Sequence, residues 1–153
     1  MITIGFLADY RDTIPTLIHW FRNQWPDYLA DISDEEMEQD FLEDASHDRL
    51  PIRLVAFESN QIVGTITLRE NNPDMPPESQ PELGGLYVVK SHRKQGIATE
   101  LVRTGMQLAH QQGYETVFAT TVLAAGILER LGWEFLKTVV HGDEQLRLYR
   151  CKL

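Results

Sequence analysis

Leu86-Tyr87-Val88-Val89-Lys90-Ser91-His92-Arg93-Lys94-Gln95-Gly96-Ile97-Ala98-Thr99 decides how this 153-residue chain is read. It runs from an apolar strand through a basic turn into a helix start. Lys90, Arg93 and Lys94 fall within five residues that contain no acid. They concentrate positive potential where the first helical N–H groups lack partners. Gly96 has no Cβ and Ala98 only a methyl, so a phosphate can approach the backbone at the helix N-terminus, and a diphosphate is a natural guest. An ordinary solvated connection fits the same residues equally well on physical grounds alone. The chain has no G-x-x-x-x-G-K-[ST], and no G-x-G-x-x-G after a strand. A nucleotide hydrolase or a Rossmann oxidoreductase is therefore disfavoured.

Working outward, Leu83 to Val89 reads as a strand and the helix runs through Gln112, with Gly113 as its C-terminal cap. Upstream, Ile52 to Glu58 and Gln61 to Leu68 are β-rich runs joined by Ser59-Asn60, an antiparallel hairpin in which Gly64 marks a bulge. Arg69 to Pro81, with Asn71-Asn72-Pro73 and Pro76-Pro77, is a long loop of the kind that borders sites. Nearer the start, Ile2, Ile4 and Phe6 alternate as a strand. Ile14, Leu17, Ile18, Phe21 and Trp25 recur at helical spacing behind an Asp12 or Thr13 cap and Pro15. Ser33-Asp34-Glu35-Glu36 is a capping box with an Ile32–Met37 staple. Its helix turns Met37, Phe41 and Leu42 inward and Asp34, Glu35, Glu38, Asp40, Glu43 and Asp44 outward. Downstream, Tyr114 to Thr121 is a strand and Val122 to Leu131 a short helix ending at Gly132. Trp133 to Val140 and Gln145 to Lys152 are strands joined by His141-Gly142-Asp143. The order is β α α β β β α β α β β.

The length suits one domain over residues 1–153, and 42% hydrophobic with 24% charged residues allows a globular core. No apolar run approaches a bilayer span, and Met1 to Gly5 lacks the flank and apolar stretch of a signal peptide, so a cytoplasmic protein is expected. The lone Cys151 excludes an intrachain disulfide framework and a cysteine-rich zinc site. Fourteen basic against 23 acidic residues, net −9, argues against nucleic acid or anionic membrane as a partner.

Arg93-Lys94-Gln95-Gly96-Ile97-Ala98 resembles the Arg/Gln-x-x-Gly-x-Gly/Ala motif of the GNAT superfamily, the GCN5-related N-acetyltransferases. Ala124, Gly132 and Trp133 resemble that family's more degenerate Asn-x-x-Ala-x-x-x-Tyr-x-x-x-Gly-Phe segment, and the element order fits its fold. The resemblance implies an α/β (α+β) fold with a mixed, mostly antiparallel sheet flanked by helices. It implies an acetyl-CoA site without a metal: backbone N–H groups from Arg93 or Lys94 through Gln95, Gly96, Ile97, Ala98 and Thr99 around the diphosphate. Leu86, Tyr87 and Val88 would lie beside the pantetheine and thioester. The family's asparagine position is Thr121, which joins the coenzyme contacts. Relatives commonly form dimers, so a homodimer is compatible.

The implied reaction is aminolysis of a thioester: an amine attacks, an oxyanion develops and a thiolate leaves. A backbone donor near Tyr87 or Val88 would stabilise the oxyanion. Glu82, just before that strand, is the first choice of base, ahead of Glu70 and Asp74. The position of the family's thiolate-protonating tyrosine holds Leu128, which has no proton to give, leaving Tyr114, Tyr149 or water. His19, His47, His92, His110 and His141 show no metal-ligand spacing. The leading expectation is direct acetyl transfer to a primary amine, with the acidic second helix and overall charge favouring a small cationic molecule. The alternatives are a noncatalytic acyl-CoA-binding or regulatory module, and a protein N-terminal or lysine acetyltransferase.

Overall fold

The computed structural model describes residues 1–70 and 79–153. The elements follow the expected order: β1 (Ile2–Phe6), α1 (Ile14–Gln24), α2 (Asp34–Glu43), β2 (Ile52–Glu58), β3 (Gln61–Arg69), β4 (Glu82–Val88), α3 (Ile97–Gln111), β5 (Thr116–Thr121), α4 (Ala125–Arg130), β6 (Glu134–His141) and β7 (Glu144–Lys152). The strands form one sheet in the order β1-β2-β3-β4-β5-β7-β6. Every neighbouring pair is antiparallel except β4 with β5. This is the mixed, mostly antiparallel sheet that was expected.

Alternation along β2 shows how the helices find their faces. Ile52, Leu54 and Ala56 join the core under α3 with Ile97, Leu101 and Val102. Val55 and Phe57, one register step away, join Leu17, Trp20, Met37 and Phe41 under α1 and α2. Helices therefore cover both faces of the sheet's first half. Ser59 and Asn60 take positive φ of 50° and 69°, the left-handed pair that a two-residue hairpin turn requires. The β2–β3 register shifts between Ala56 and Phe57, opposite Gly64, where a bulge was expected.

Three local readings need correction. Thr13 stands at the N-cap of α1 but its side chain makes no cap bond: a 3-10 turn over Arg11–Thr13 runs straight into the helix, and the Thr13 hydroxyl donates to Tyr10 O at 2.6 Å. Pro15, in the first turn, lacks an N–H to cap. Leu42 is 38% exposed, because Met37 and Phe41 already fill the stripe facing α1. The short helix α4 starts at Ala125 rather than Val122, since Val122 to Ala124 form the turn that Thr121 holds.

β4 and β5 share a single register pair, Glu82 with Phe118, next to a Phe118 N–H to Pro81 O bond of 2.9 Å. Beyond it the two strands have no ladder, and the parting creates the space described next.

Candidate active site

A cleft of about 480 Å³ opens where β4 and β5 part. Leu86 of β4, Val102 of α3, Thr121 of β5 and Leu128 of α4 line its inner side, and Glu82 and Arg69 stand at its base. At its other end lie Phe21, Trp25, Tyr28 and Leu29, from α1 and the turn after it, with Glu144 and Leu146 of β7.

The basic turn leads into α3 beside this cleft, and Val102 carries the same helix to the lining. Lys94 and Gly96 both adopt left-handed backbone, φ 63° and 86°. Gly96 is the N-cap of α3 with no side-chain cap, and a Cβ built there would meet no atom within 4 Å. The first helical bond is Glu100 N–H to Gly96 O, 3.0 Å. Among the described residues, the N–H groups of Lys94, Gln95, Gly96, Ile97, Ala98 and Thr99 have no protein acceptor. Arg93 differs, since its N–H reaches Lys90 O at 3.4 Å. Left-handed turns that gather bare N–H groups at a helix N-terminus are built to receive an anion.

The side chains of this segment serve other ends. Arg93 Nε donates to Val88 O at 2.8 Å, and its guanidinium lies 5.6 Å from the Tyr87 ring. Tyr87 stacks on Trp20 with centroids 5.1 Å apart, Val88 is buried in the core, and Ile97 is buried beneath α3. Gln95 Nε2 reaches Ser91 O at 3.4 Å. Lys94 is exposed. His92 packs against Ser91 at 2.8 Å and Glu58 at 3.2 Å. Of Leu86, Tyr87 and Val88, only Leu86 lines the cleft.

Glu82 is 1% exposed, and its Oε1 accepts from Arg69 Nε at 2.9 Å and Nη2 at 2.6 Å across the β3–β4 register. Glycine at 84 makes room for this pair, since a Cβ there would come within 2.7 Å of Arg69 Nη2 and 2.8 Å of Glu82 Oε1. Glu70, which bonds the Tyr114 hydroxyl, does not line the cleft, and Asp74 lies outside the described residues.

Neither tyrosine suggested as the acid lines the cleft. Burial pushes the Tyr114 phenol up, with Glu70 adding to the rise. Tyr149 is fully buried behind α4, donating to Glu129 Oε2 at 2.7 Å and accepting from Arg147 Nε at 3.1 Å; burial pushes its phenol up as well. Leu128 is buried at the family's tyrosine position. Thr121 Oγ1 accepts from Ala124 N–H at 2.7 Å and so fixes the turn into α4. Cys151 is a buried core thiol in β7, shifted up by that burial.

Sequence reasoning missed two groups. The outer end of the cleft is one, because residues of α1 and β7 meet there only through the fold. The other is Arg53, almost fully buried between Phe21 and Phe41 at 5.2 and 5.0 Å. Asp44 Oδ2 accepts from its Nε at 3.0 Å and Thr65 Oγ1 from its Nη1 at 3.2 Å, while burial pulls the guanidinium below its usual value against the pull of Asp44. The α2 acids Asp34, Glu35 and Glu38 line a separate hollow with Arg11, away from the cleft. Among the described residues no cluster of metal-ligating side chains occurs.

A seven-stranded, mostly antiparallel sheet parted between β4 and β5, with helices on both faces, is the architecture this chain shares with solved acetyltransferases of the GNAT family. Residues 14–133 match the model of the Acetyltransferase (GNAT) family, and the chain belongs to that family. It is 33% identical over 123 residues to N-acetyltransferase 8B of Rattus norvegicus, covering 78% of this chain and 55% of that protein. With N-acetyltransferase 8F1 of the same species it shares 40% identity over 86 residues, 55% of this chain and 39% of the relative. The chain thus spans about half or less of these relatives. Its fold is similar to that of an aminoglycoside 6'-N-acetyltransferase complexed with coenzyme A, with TM-score 0.74, 18% identity, and coverage of 98% of this chain and 96% of that one.

Proposed function

We propose that residues 1–153 act as one domain that transfers an acetyl group from acetyl-CoA directly to the primary amine of a small cationic molecule. The observation that carries this reading is the row of N–H groups from Lys94 to Thr99 with no protein acceptor, at the start of a helix that leads into the cleft. These amides hold the diphosphate, and each hydrogen bond to such a charged group is worth about 1.5–3 kcal/mol. Lys94 adds charge from the surface. Arg93 contributes less directly, by clamping β4 through Val88 O. Leu86 contacts the pantetheine with its side chain, whereas Tyr87 and Val88, whose side chains are packed elsewhere, contribute main chain. Thr121 shapes the wall beside it.

The thioester supplies an activated acyl carbon. The chain's part is to align the amine, take its proton and stabilise the oxyanion. Where β4 parts from β5, a β4 backbone N–H near Tyr87 or Val88 stabilises the developing oxyanion. Glu82, at the base of the cleft, removes the amine proton directly or through water. With Leu128 in place of a tyrosine, water returns a proton to the leaving thiolate. The lone buried Cys151 suits a reducing, cytoplasmic setting, and no helix of the described residues is long and apolar enough to cross a membrane.

The test is release of free coenzyme A when a panel of amines is added with acetyl-CoA. We expect turnover, and a Tm raised by acetyl-CoA alone. A raised Tm without release for any acceptor, peptides included, would identify the noncatalytic module that Leu128 allows. Release confined to peptides would make the protein a peptide acetyltransferase instead. Glu82→Gln is expected to lower kcat by roughly 100-fold or more, within the range of general-base catalysis. Full-rate turnover by that variant would remove the base assignment.

A further inference from the structure

We infer that the acceptor is a primary monoamine carrying an apolar or aromatic body, not a polyamine or other multiply charged cation. This deepens the acetyl-transfer reading and rests on it.

Charge in the cleft comes first. Among its described lining residues, the acidic and basic side chains are Glu82, Glu144 and Arg69. Glu82 is already bound to Arg69, so this described lining carries one carboxylate, Glu144, beyond that pair. That complements one ammonium. The acids that would suit several are on α2, and Asp34, Glu35 and Glu38 face the separate hollow beside Arg11. A polycation entering the cleft would lose hydration at charges that find no partner among these described residues.

The rim supplies the second, independent observation. Tyr28, Val122 and Leu123 are 53%, 55% and 88% exposed, among the most exposed large apolar side chains of the described residues, and all three border this cleft. Just inside, Trp25 packs edge-on against Phe21 with centroids 5.0 Å apart, with Leu29 and Leu146 beside them. Apolar surface left open around a pocket marks where a ligand's apolar part is removed from water. With the amine at Glu82, as the proposed transfer requires, its hydrocarbon body is left to the apolar residues Trp25, Tyr28, Val122 and Leu123.

In the transfer, the amine nitrogen forms the N–C bond and the acyl C–S bond breaks. The nitrogen gives up one proton and the departing sulfur gains one, leaving the N-acetylamine and coenzyme A.

Coenzyme A release is to be measured with 2-phenylethylamine, ethylamine and spermidine, for the parent chain and for Leu123→Ser, whose site is exposed enough to accept the change. We expect kcat/KM for 2-phenylethylamine to exceed that for ethylamine by about 10-fold or more, as burial of a phenyl ring implies. Spermidine should not exceed ethylamine. In Leu123→Ser, the phenylethylamine-to-ethylamine ratio should fall by about threefold. Equal values for the three amines, a preference for spermidine, or an unchanged ratio in the variant would overturn the inference and leave acetyl transfer standing. No release with any amine, while acetyl-CoA still raises Tm, would overturn acetyl transfer and the inference with it.

Discussion

At the start of α2, Ser33 Oγ accepts from Glu36 N–H at 3.1 Å, and Asp34, Glu35 and Glu36 put three carboxylates in the first turn. At the start of α3, Gly96 offers no side chain, Glu100 is the one acid in the first turn, and Lys90, Arg93 and Lys94 precede it. Both helices begin with N–H groups that the helix itself cannot satisfy. α2 answers that need from its own sequence; in the function proposed above, α3 leaves it to the coenzyme's diphosphate. A terminus supplied with its own anions has little use for a ligand, which is why the proposed coenzyme site is the basic turn and not the acidic helix.

The comparison breaks most directly if α3 is made to resemble α2. Gly96→Asp puts a carboxylate among the bare amides, at a left-handed position that aspartate tolerates better than most residues. We expect acetyl-CoA affinity to fall by roughly 100-fold, comparable to one or two lost charged hydrogen bonds, as read by calorimetry. Retained affinity would mean that the diphosphate lies elsewhere. The converse change, Ser33→Ala, takes the cap from α2. It should cost about 1 kcal/mol of stability, a fall of roughly 2–4 °C in Tm for a chain of this size. Acetyl-CoA affinity should not change, because α2 is outside the site. Smaller still is Lys94→Gly, which keeps a left-handed backbone but removes the charge. We expect about 2- to 5-fold weaker coenzyme binding, the scale of one surface cation near a bound anion. The gap should narrow as salt is added.

Both helix starts were legible in the sequence because capping is local: Ser33 and Glu36, or Gly96 and its basic neighbours, lie within a turn of each other. The Ser59-Asn60 hairpin was legible for the same reason. What escaped was set by meetings across the fold. Ile52-Arg53-Leu54 reads as strand, but nothing near Arg53 announces that Asp44, Phe21 and Phe41 will enclose it. Glu82 was visible as a carboxylate at the edge of the strand expected from Leu83, but it is the first residue of β4, and its pairing with Arg69 depends on the β3–β4 register. The cleft's outer end joins α1 and the turn after it to the start of β7, so its apolar character could not be read from either segment. The acids of α2 illustrate the reverse case: their charge was plain, and only the fold showed that they face another hollow.

The two ends of α2 offer the finest test of how charge and helix position interact. Acids in its first turn meet the positive end of the helix dipole, whereas Asp40, Glu43 and Asp44 crowd the negative end. Asp44 is compensated by its bond to Arg53. Asp40 is not, and its carboxyl is held above the usual range by partial burial first, then by Glu43, Asp44 and Glu36. The folded chain therefore binds this proton more tightly than the unfolded chain does. Its contribution to stability is fully present below the unfolded aspartate value of about 3.9 and is lost as pH rises through the raised folded value. At neutral pH the ionised Asp40 is a small liability. Asp40→Asn should then have a slightly higher Tm than the parent at pH 7, and the advantage should vanish below about pH 3.9. A pH-independent gap between the two melting curves would show that the fold does not penalise ionisation of Asp40. The same substitution at Asp34, in the first turn and bonded to Arg22 at 2.7 Å, should act in the opposite direction.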